Sequence, residues 1–322
     1  MRFLIRRLIT YVVIIFVAFN INFFLPRVGT SNAATILAAG AAFAPAQRVL
    51  IAARLGLNQP LLTQYFINLK DVFATWPPYF GVSYANNAPV SAIFVQALPW
   101  TLILMISSFF LSLVFAFLAT LLIALRRGGK LESGSTYAAI SVHSIPIYFT
   151  SSILLSVFGV SLKWFPVFGS KSFTTQVGLP LITSIVSHAV LPIVALSISL
   201  FGLDFLLLRG SIQEVLRDEY VIAAKLRGLP NITIAWGYVL RNSLLPFVSL
   251  SAFSVANLVG RLIIVETIFG YPGIGGLITD GIENKDYPMI MGVFMLLTFM
   301  VIIGGLIGDV VLTRLDPRLR RD

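Results

Sequence analysis

The sequence predicts an all-α polytopic membrane protein with six transmembrane helices and an external segment between the first and second. Three observations lead there. Of 322 residues, 57% are hydrophobic and only 11% charged, whereas soluble domains carry about a quarter charged residues; mean hydropathy is +0.92. The apolar residues also gather into continuous runs near the ~20 residues that span a bilayer as helix. Finally, the runs do not alternate as strands would, and lipid admits only helices or closed barrels.

Taken in order, the runs are Leu8–Leu25, Ala97–Leu125, Tyr137–Val160, Thr183–Leu208, Leu244–Phe269 and Pro288–Leu312. They divide the chain into an anchor span (1–25), an external segment (26–96) and a five-span core (97–322) with a cytoplasmic loop at 209–243. The first run follows "MRFLIRR" and exceeds the roughly 7–15 apolar residues of a cleaved signal, so a permanent anchor fits it better. The second is long enough to tilt. The external segment is too long for a passive connector. Its helix-forming "ILAAGAAFAPAQRVLIAARLGL" and turn-rich "WPPYFGVSYANNAP" suggest a small cap of helices and loops.

A net charge of +10 would suggest nucleic acid in a soluble protein. Here the cations lie between apolar runs, so no nucleic-acid partner is expected and the lipid bilayer is. Fifteen Lys and Arg fall at the N-terminus, after spans two and four, and at the C-terminus; seven fall on the opposite side. By the positive-inside rule, both termini are cytoplasmic in a multi-pass protein of the cell membrane.

The loop at 209–243 departs from this apolar background. Ile212, Val215, Leu216, Ile222, Ala223 and Leu226 recur at three- and four-residue intervals, an amphipathic-helix signal. Gly228 suits a left-handed C-terminal cap, with Lys225 and Arg227 well placed in the last turn. Pro230 and Asn231 can open a second helix. Helix, tight turn, helix is expected. An interfacial helix on the headgroups would carry a cationic polar face, but Glu214, Asp218 and Glu219 offset the cations. Ala223 and Ala224 beside the turn permit close approach by a protein, which favours a docking element.

Ionisable residues inside spans are functional candidates by default: His188, Asp204, Arg261 and Glu266. Asp204 and Glu266 lie toward the ends of their runs, where solvation explains them; Arg261 is deeper and is a candidate pathway residue. Pro146, Pro192 and Pro246 would interrupt helical hydrogen bonding, and Pro146 and Pro192 are pathway candidates on that ground. Gly292, Gly304, Gly305 and Gly308 suit close helix packing.

Catalysis finds little support. The "GGK" at Gly128–Lys130 lacks the P-loop spacing, and "GYPGIGG" has Ile278 where a dinucleotide fingerprint needs glycine. His143 and His188 are the only histidines and have no carboxylates at ligand spacing. No nucleophile elbow is visible, and there is no cysteine. No cofactor or metal is expected in this chain, and it is not expected to be an enzyme.

"EYVIAAKLRGL" (Glu219–Leu229) followed by "LRNSLLP" resembles the EAA loop of importer-type ABC permeases of the oligopeptide, dipeptide and nickel group. "LGLNQPLLTQY" (Leu55–Tyr65), "SIPIYF" (Ser144–Phe149), "KWFPVFG" (Lys163–Gly169), "HAVLPIVAL" (His188–Leu196), "VETIFGYPGIGGL" (Val265–Leu277), "KDYP" (Lys285–Pro288) and "LDPRLR" (Leu315–Arg320) extend the resemblance along almost the whole chain. It implies the importer-type ABC permease fold and a permease forming half of a pathway for peptides or oligosaccharides. It also implies a second homologous permease, two cytoplasmic ATPase subunits that carry ATP and Mg, and an external solute-binding protein. Carried over, Glu219, Tyr220, Ala223, Ala224, Gly228 and Leu229 are ATPase-coupling residues. The chain departs from the family's pattern at "LPRVGTSNA" after Phe24, at Tyr238 (often histidine), at Pro230 (often serine) and at Arg261, where a small residue is usual. The alternatives are a secondary transporter, which would need converging carboxylates in broken helices, and a membrane scaffold that docks a soluble partner.

Overall fold

The computed structural model describes residues 2–28, 49, 59–75, 78–125, 130–172 and 177–315. Much of the expected external segment, the pair Arg126 and Arg127 and most of "LDPRLR" lie outside the described residues. Ten helices order the description: α1 Arg2–Val28, α2 Leu61–Phe73, α3 Val90–Leu125, α4 Lys130–Ser144, α5 Ile147–Leu154, α6 Leu179–Val215, α7 Glu219–Leu226, α8 Arg241–Ile268, α9 Ile274–Glu283 and α10 Tyr287–Leu315. A π-helical stretch, Leu155–Ser161, continues α5, and another, Ile234–Leu240, leads into α8.

Among the described residues, four stretches are long and apolar enough to cross a membrane: Arg7–Phe24, Val90–Leu121, Leu179–Val215 and Tyr287–Val311. The expected third span is not straight. Ser133–Ser144 and Ile147–Ser161 meet at 87°, because Pro146 has no N–H to donate back into α4 and starts a new helix as the N-cap of α5. If the pair is one span, the stretches number five. The helix of the expected fifth run, α8, has 28 residues, though its side chains at 244–246, 248–253 and 255–256 lie outside the described residues. Pro192, expected to interrupt a span, is buried inside an unbroken α6, and α8 likewise runs through Pro246.

The chain divides into two compact units. One comprises 6–102 and 270–302; the other comprises 103–269 with 1–5 and 303–322. In the first, one face of α1 is pinned by aromatics. Phe19 and Phe23 are fully buried, with Tyr65 of α2 at 5.5 and 5.2 Å between ring centroids and Phe73 5.6 Å from Phe19. The opposite face, with Ile14, Val17 and Ile21, is exposed.

The same unit holds a latch built on Asp286. Its Oδ1 accepts from the Met289 N–H at 3.2 Å, capping α10. Its Oδ2 accepts from Ser83 Oγ at 2.5 Å and from the Ala85 N–H at 3.2 Å. Both Asp286 and Ser83 are buried. One carboxylate therefore starts α10 and fixes the 83–86 turn. Asp286→Ala strands three donors, and stranded buried donors cost about 1–3 kcal/mol each. A clear drop in melting temperature of the detergent-solubilised protein is expected, with partial recovery in Asp286→Asn, which keeps one acceptor oxygen.

The second unit carries the loop and the polar site. Helices α4 and α6 approach closely at Gly202 of α6, where an added Cβ would stand 2.5 Å from the Ala139 carbonyl oxygen and 2.7 Å from His143 Cβ of α4.

Candidate coupling loop and intramembrane polar site

Helix α6 ends at Val215, and the chain turns through Leu216–Asp218 before α7 begins. Asp218 is the N-cap residue of α7 and Glu219 sits in its first turn, where negative charge suits the helix dipole. At the other end the backbone forms a Schellman closure: Gly228 N–H donates to the Lys225 carbonyl at 2.9 Å, and Leu229 N–H to the Ala224 carbonyl at 3.4 Å. Gly228 has φ +74°, the left-handed region that disfavours residues with a Cβ. Pro230 then caps the turn Asn231–Thr233, so the expected helix, tight turn and helix are present.

The face of α7 differs from the sequence expectation. Ile222, Ala223 and Leu226 were expected on the buried stripe with Ile212 and Val215. Instead Val221 and Ala224 are buried, while Ala223 is exposed and Ile222 and Leu226 are 47% and 85% exposed. The break at 216–218 resets the helical phase, so periodicity read across it selects the wrong residues. Val221 and Ala224 join Leu208, Ile212, Val215, Ile234, Val239 and Phe247 in one core, with Leu229 packed against it. Burying a side chain of Val221's size contributes about 1.5–3 kcal/mol, enough to hold α7 to its own chain. Ala224 thus packs inward, against the core of its own chain. Glu219 is exposed and Tyr220 is 39% exposed. Partial desolvation, and next its hydrogen bond to Asp218, push the Tyr220 phenol above its ordinary value.

Within the same unit, polar residues converge between apolar helices. Asp204 of α6 was expected near solvent but is completely buried. Its Oδ2 accepts from Ser112 Oγ of α3 at 2.5 Å, and its Oδ1 accepts from Ser254 Oγ of α8 at 2.7 Å. Arg261, which by sequence alone could pair with Glu266, donates instead to the Ser199 carbonyl and interacts electrostatically with Asp204. Nearby, Ser197 Oγ donates to the Ser108 carbonyl at 3.1 Å. Glu266, also expected at a solvated end, is completely buried. Burying charges without such partners would cost several kcal/mol each, so the serines and the opposed charges explain why Asp204 is tolerated.

The register is informative. Going from Ser108 to Ser112 in α3 corresponds to going from Ser197 to Asp204 in α6, so the two run parallel. From Ser254 to Arg261 in α8 the partners run backward, from Asp204 to Ser199, so α8 is antiparallel to α6. Ser112 and Ser254 are not ionisable, so neither stands out inside an apolar span by itself. The signal existed: Ser197 and Asp204, and Ser254 and Arg261, are each seven apart and share a helix face. His188, by contrast, has Nδ1 2.7 Å from the Ser184 carbonyl of its own helix, a local satisfaction. Among the described residues no group of three or more His, Cys, Asp or Glu is placed to hold a metal ion.

This arrangement defines a polytopic helical membrane subunit with a structured loop between antiparallel spans. The chain belongs to the family of binding-protein-dependent transport system inner membrane components, which matches residues 116–321, while the N-terminal domain of such components matches residues 1–105. Among curated relatives, a probable peptide ABC transporter permease of Sinorhizobium fredii is 30% identical over 319 residues, 99% of each chain. An oligopeptide transport system permease of Bacillus subtilis is 31% identical, with 82% of each chain covered. A glutathione transport system permease of Escherichia coli is 26% identical over 99% of each. In fold, the chain is similar to one from the inward-facing methionine ABC transporter MetNI, with TM-score 0.57, 16% identity and coverage of 70% of this chain and 97% of that one.

Proposed function

We propose that this chain is the permease subunit of an ATP-driven importer of peptides, supplying half of the translocation pathway and receiving the ATPase stroke on its 209–243 loop. The observation that carries the reading is α7. Its inner face is anchored in the core of its own chain, whereas its outer face, Ile222, Ala223 and Leu226, is apolar and exposed. Glu219, Tyr220, Ala223 and Leu226 meet the ATPase groove, while Ala224, Gly228 and Leu229 hold the helix in shape behind them. Motion of α7 then passes into α6 and α8, joined to its ends. The names of the relatives favour peptides over oligosaccharides.

The partners are a second permease of the same family, two cytoplasmic ATPases that bind ATP and Mg, and an external solute-binding protein. This chain hydrolyses nothing itself. Six spans, with α8 as the fifth and both termini cytoplasmic, complete the arrangement.

In the pathway, Arg261 is the residue to follow. Asn257, Gly260, Arg261 and Ile264 share one face of α8, and Asn257, Gly260 and Ile264 are exposed. Asn257 and Arg261 facing lipid would be costly, so this face turns to the pathway that the two permeases enclose, where water or cargo covers it. Pro146 contributes through the bend it imposes, and Pro192 only through packing.

Because the chain contains no cysteine, Leu226→Cys offers a single attachment point for a photo-cross-linker. In the assembled importer the cross-link is expected on an ATPase subunit, identified by mass. Cross-links only to lipid would contradict the docking role.

A further inference from the structure

We propose that Asp204 is the positioning residue for Arg261, its carboxylate serving as the counter-charge that keeps the guanidinium at the Ser199 carbonyl and aimed at the pathway face of α8, where it meets an anionic group of the cargo such as a peptide carboxylate. The proposal rests on the pathway reading above and adds to it the group that orients Arg261 and the chemistry it recognises.

Four observations support it. Both carboxylate oxygens of Asp204 are held by hydroxyls, from Ser112 and Ser254. Those donors fix the carboxylate in place but bring no net charge. Ser254, one of those donors, lies seven residues before Arg261 on the same face of α8, and Arg261 donates to the Ser199 carbonyl, five residues before Asp204 on α6, so the α6–α8 contact brings the carboxylate and the guanidinium to one stretch, in keeping with a charge interaction between them. Arg261 nonetheless stays half-buried, beside exposed Gly260. A guanidinium bound only for structure has reason to be enclosed by several acceptors, whereas this one has the Ser199 carbonyl as its one hydrogen-bond acceptor among the described residues, and its planar donor fork suits carboxylates.

Without Asp204, an arginine on a long flexible stem would swing toward water. A lysine at 261 would keep the charge but lose the fork. Asp204 lies 11 residues before the end of α6 at Val215, about 16 Å at the helical rise. Any shift of α6 driven from the loop therefore moves the carboxylate and, with it, the guanidinium.

The test uses Gly260→Cys, a site where an added Cβ meets nothing within 4 Å, in the complete importer reconstituted in vesicles. Anionic and cationic methanethiosulfonate reagents of equal size probe the local charge without needing a substrate. With Asp204 present, the two rates are expected to lie within a few-fold of each other. In Asp204→Asn the anionic reagent should gain at least tenfold, and adding Arg261→Gln should abolish that gain. A rate ratio insensitive to Asp204→Asn would overturn the positioning role. A thiol that reacts with neither reagent would overturn the pathway reading itself, and the proposal with it.

A second readout separates positioning from structural pairing. Uptake of a mixture of synthetic di- to pentapeptides by Asp204→Asn should show KM raised at least tenfold. The double variant Asp204→Asn/Arg261→Gln should still insert in the membrane but show no uptake. Full uptake in the double variant would reduce the pair to a structural one and sink the proposal.

Discussion

Gly228→Val is expected to leave the importer inserted and assembled while abolishing ATP-driven uptake. The residue has φ +74°, a conformation that costs residues with a Cβ about 1–2 kcal/mol and β-branched ones more. An added Cβ would touch nothing within 4 Å, so the damage is in the backbone and not in packing. The Schellman closure that ends α7 opens, Leu229 leaves the core it packs against, and α7 loses the fixed link that lets it pass displacement to α8. Gly228→Asn, whose short polar side chain tolerates the left-handed region, should retain much of the activity. Substrate-stimulated ATPase activity that survives intact in the valine variant would contradict the role of the turn.

The other large effect is expected at Gly202. A Cβ there meets the Ala139 carbonyl oxygen at 2.5 Å, His143 Cβ at 2.7 Å and the His143 amide nitrogen at 3.0 Å. Backbone atoms cannot swing aside, so α4 and α6 must separate. Helix association in lipid relies on close van der Waals packing rather than on exclusion of water, and overpacking costs about 1–3 kcal/mol. Gly202→Ala should lower the melting temperature in detergent, and Gly202→Leu should remove most of the assembled protein. Gly210→Ala is the control, because it lies exposed on the same helix with nothing within 4 Å and should be neutral or mildly stabilising. If Gly202→Ala and Gly210→Ala melt alike, the close approach of α4 and α6 is wrong.

What was legible in the sequence follows from how local each cause is. Spans show as apolar runs, and the loop shows because Gly228 and Pro230 punctuate the chain within a few residues of their effect. The phase of α7 was not legible. Three residues of turn separate it from α6, and Ile222 then points out while Val221 points in. The bend between α4 and α5 needed only Pro146, yet Pro192 leaves α6 unbroken, so proline alone does not decide. Asp204 looked solvated because the hydroxyls that hold it are 92 and 50 residues away in sequence. The Asp286 latch is still less local, with Ser83 203 residues distant. Such contacts leave only a faint trace, a serine on the same helix face as an ionisable residue.

On the proposed function, this chain conducts peptides through the membrane under power supplied by separate ATPases. The most direct measurement is uptake of a defined peptide mixture into vesicles containing this chain, its partner permease and the ATPases, with the solute-binding protein outside and ATP inside. Accumulation above the external concentration is expected, dependent on ATP hydrolysis and on the binding protein, and indifferent to a collapsed proton or sodium gradient. Accumulation that persists without ATP and disappears with the ion gradient would contradict the claim.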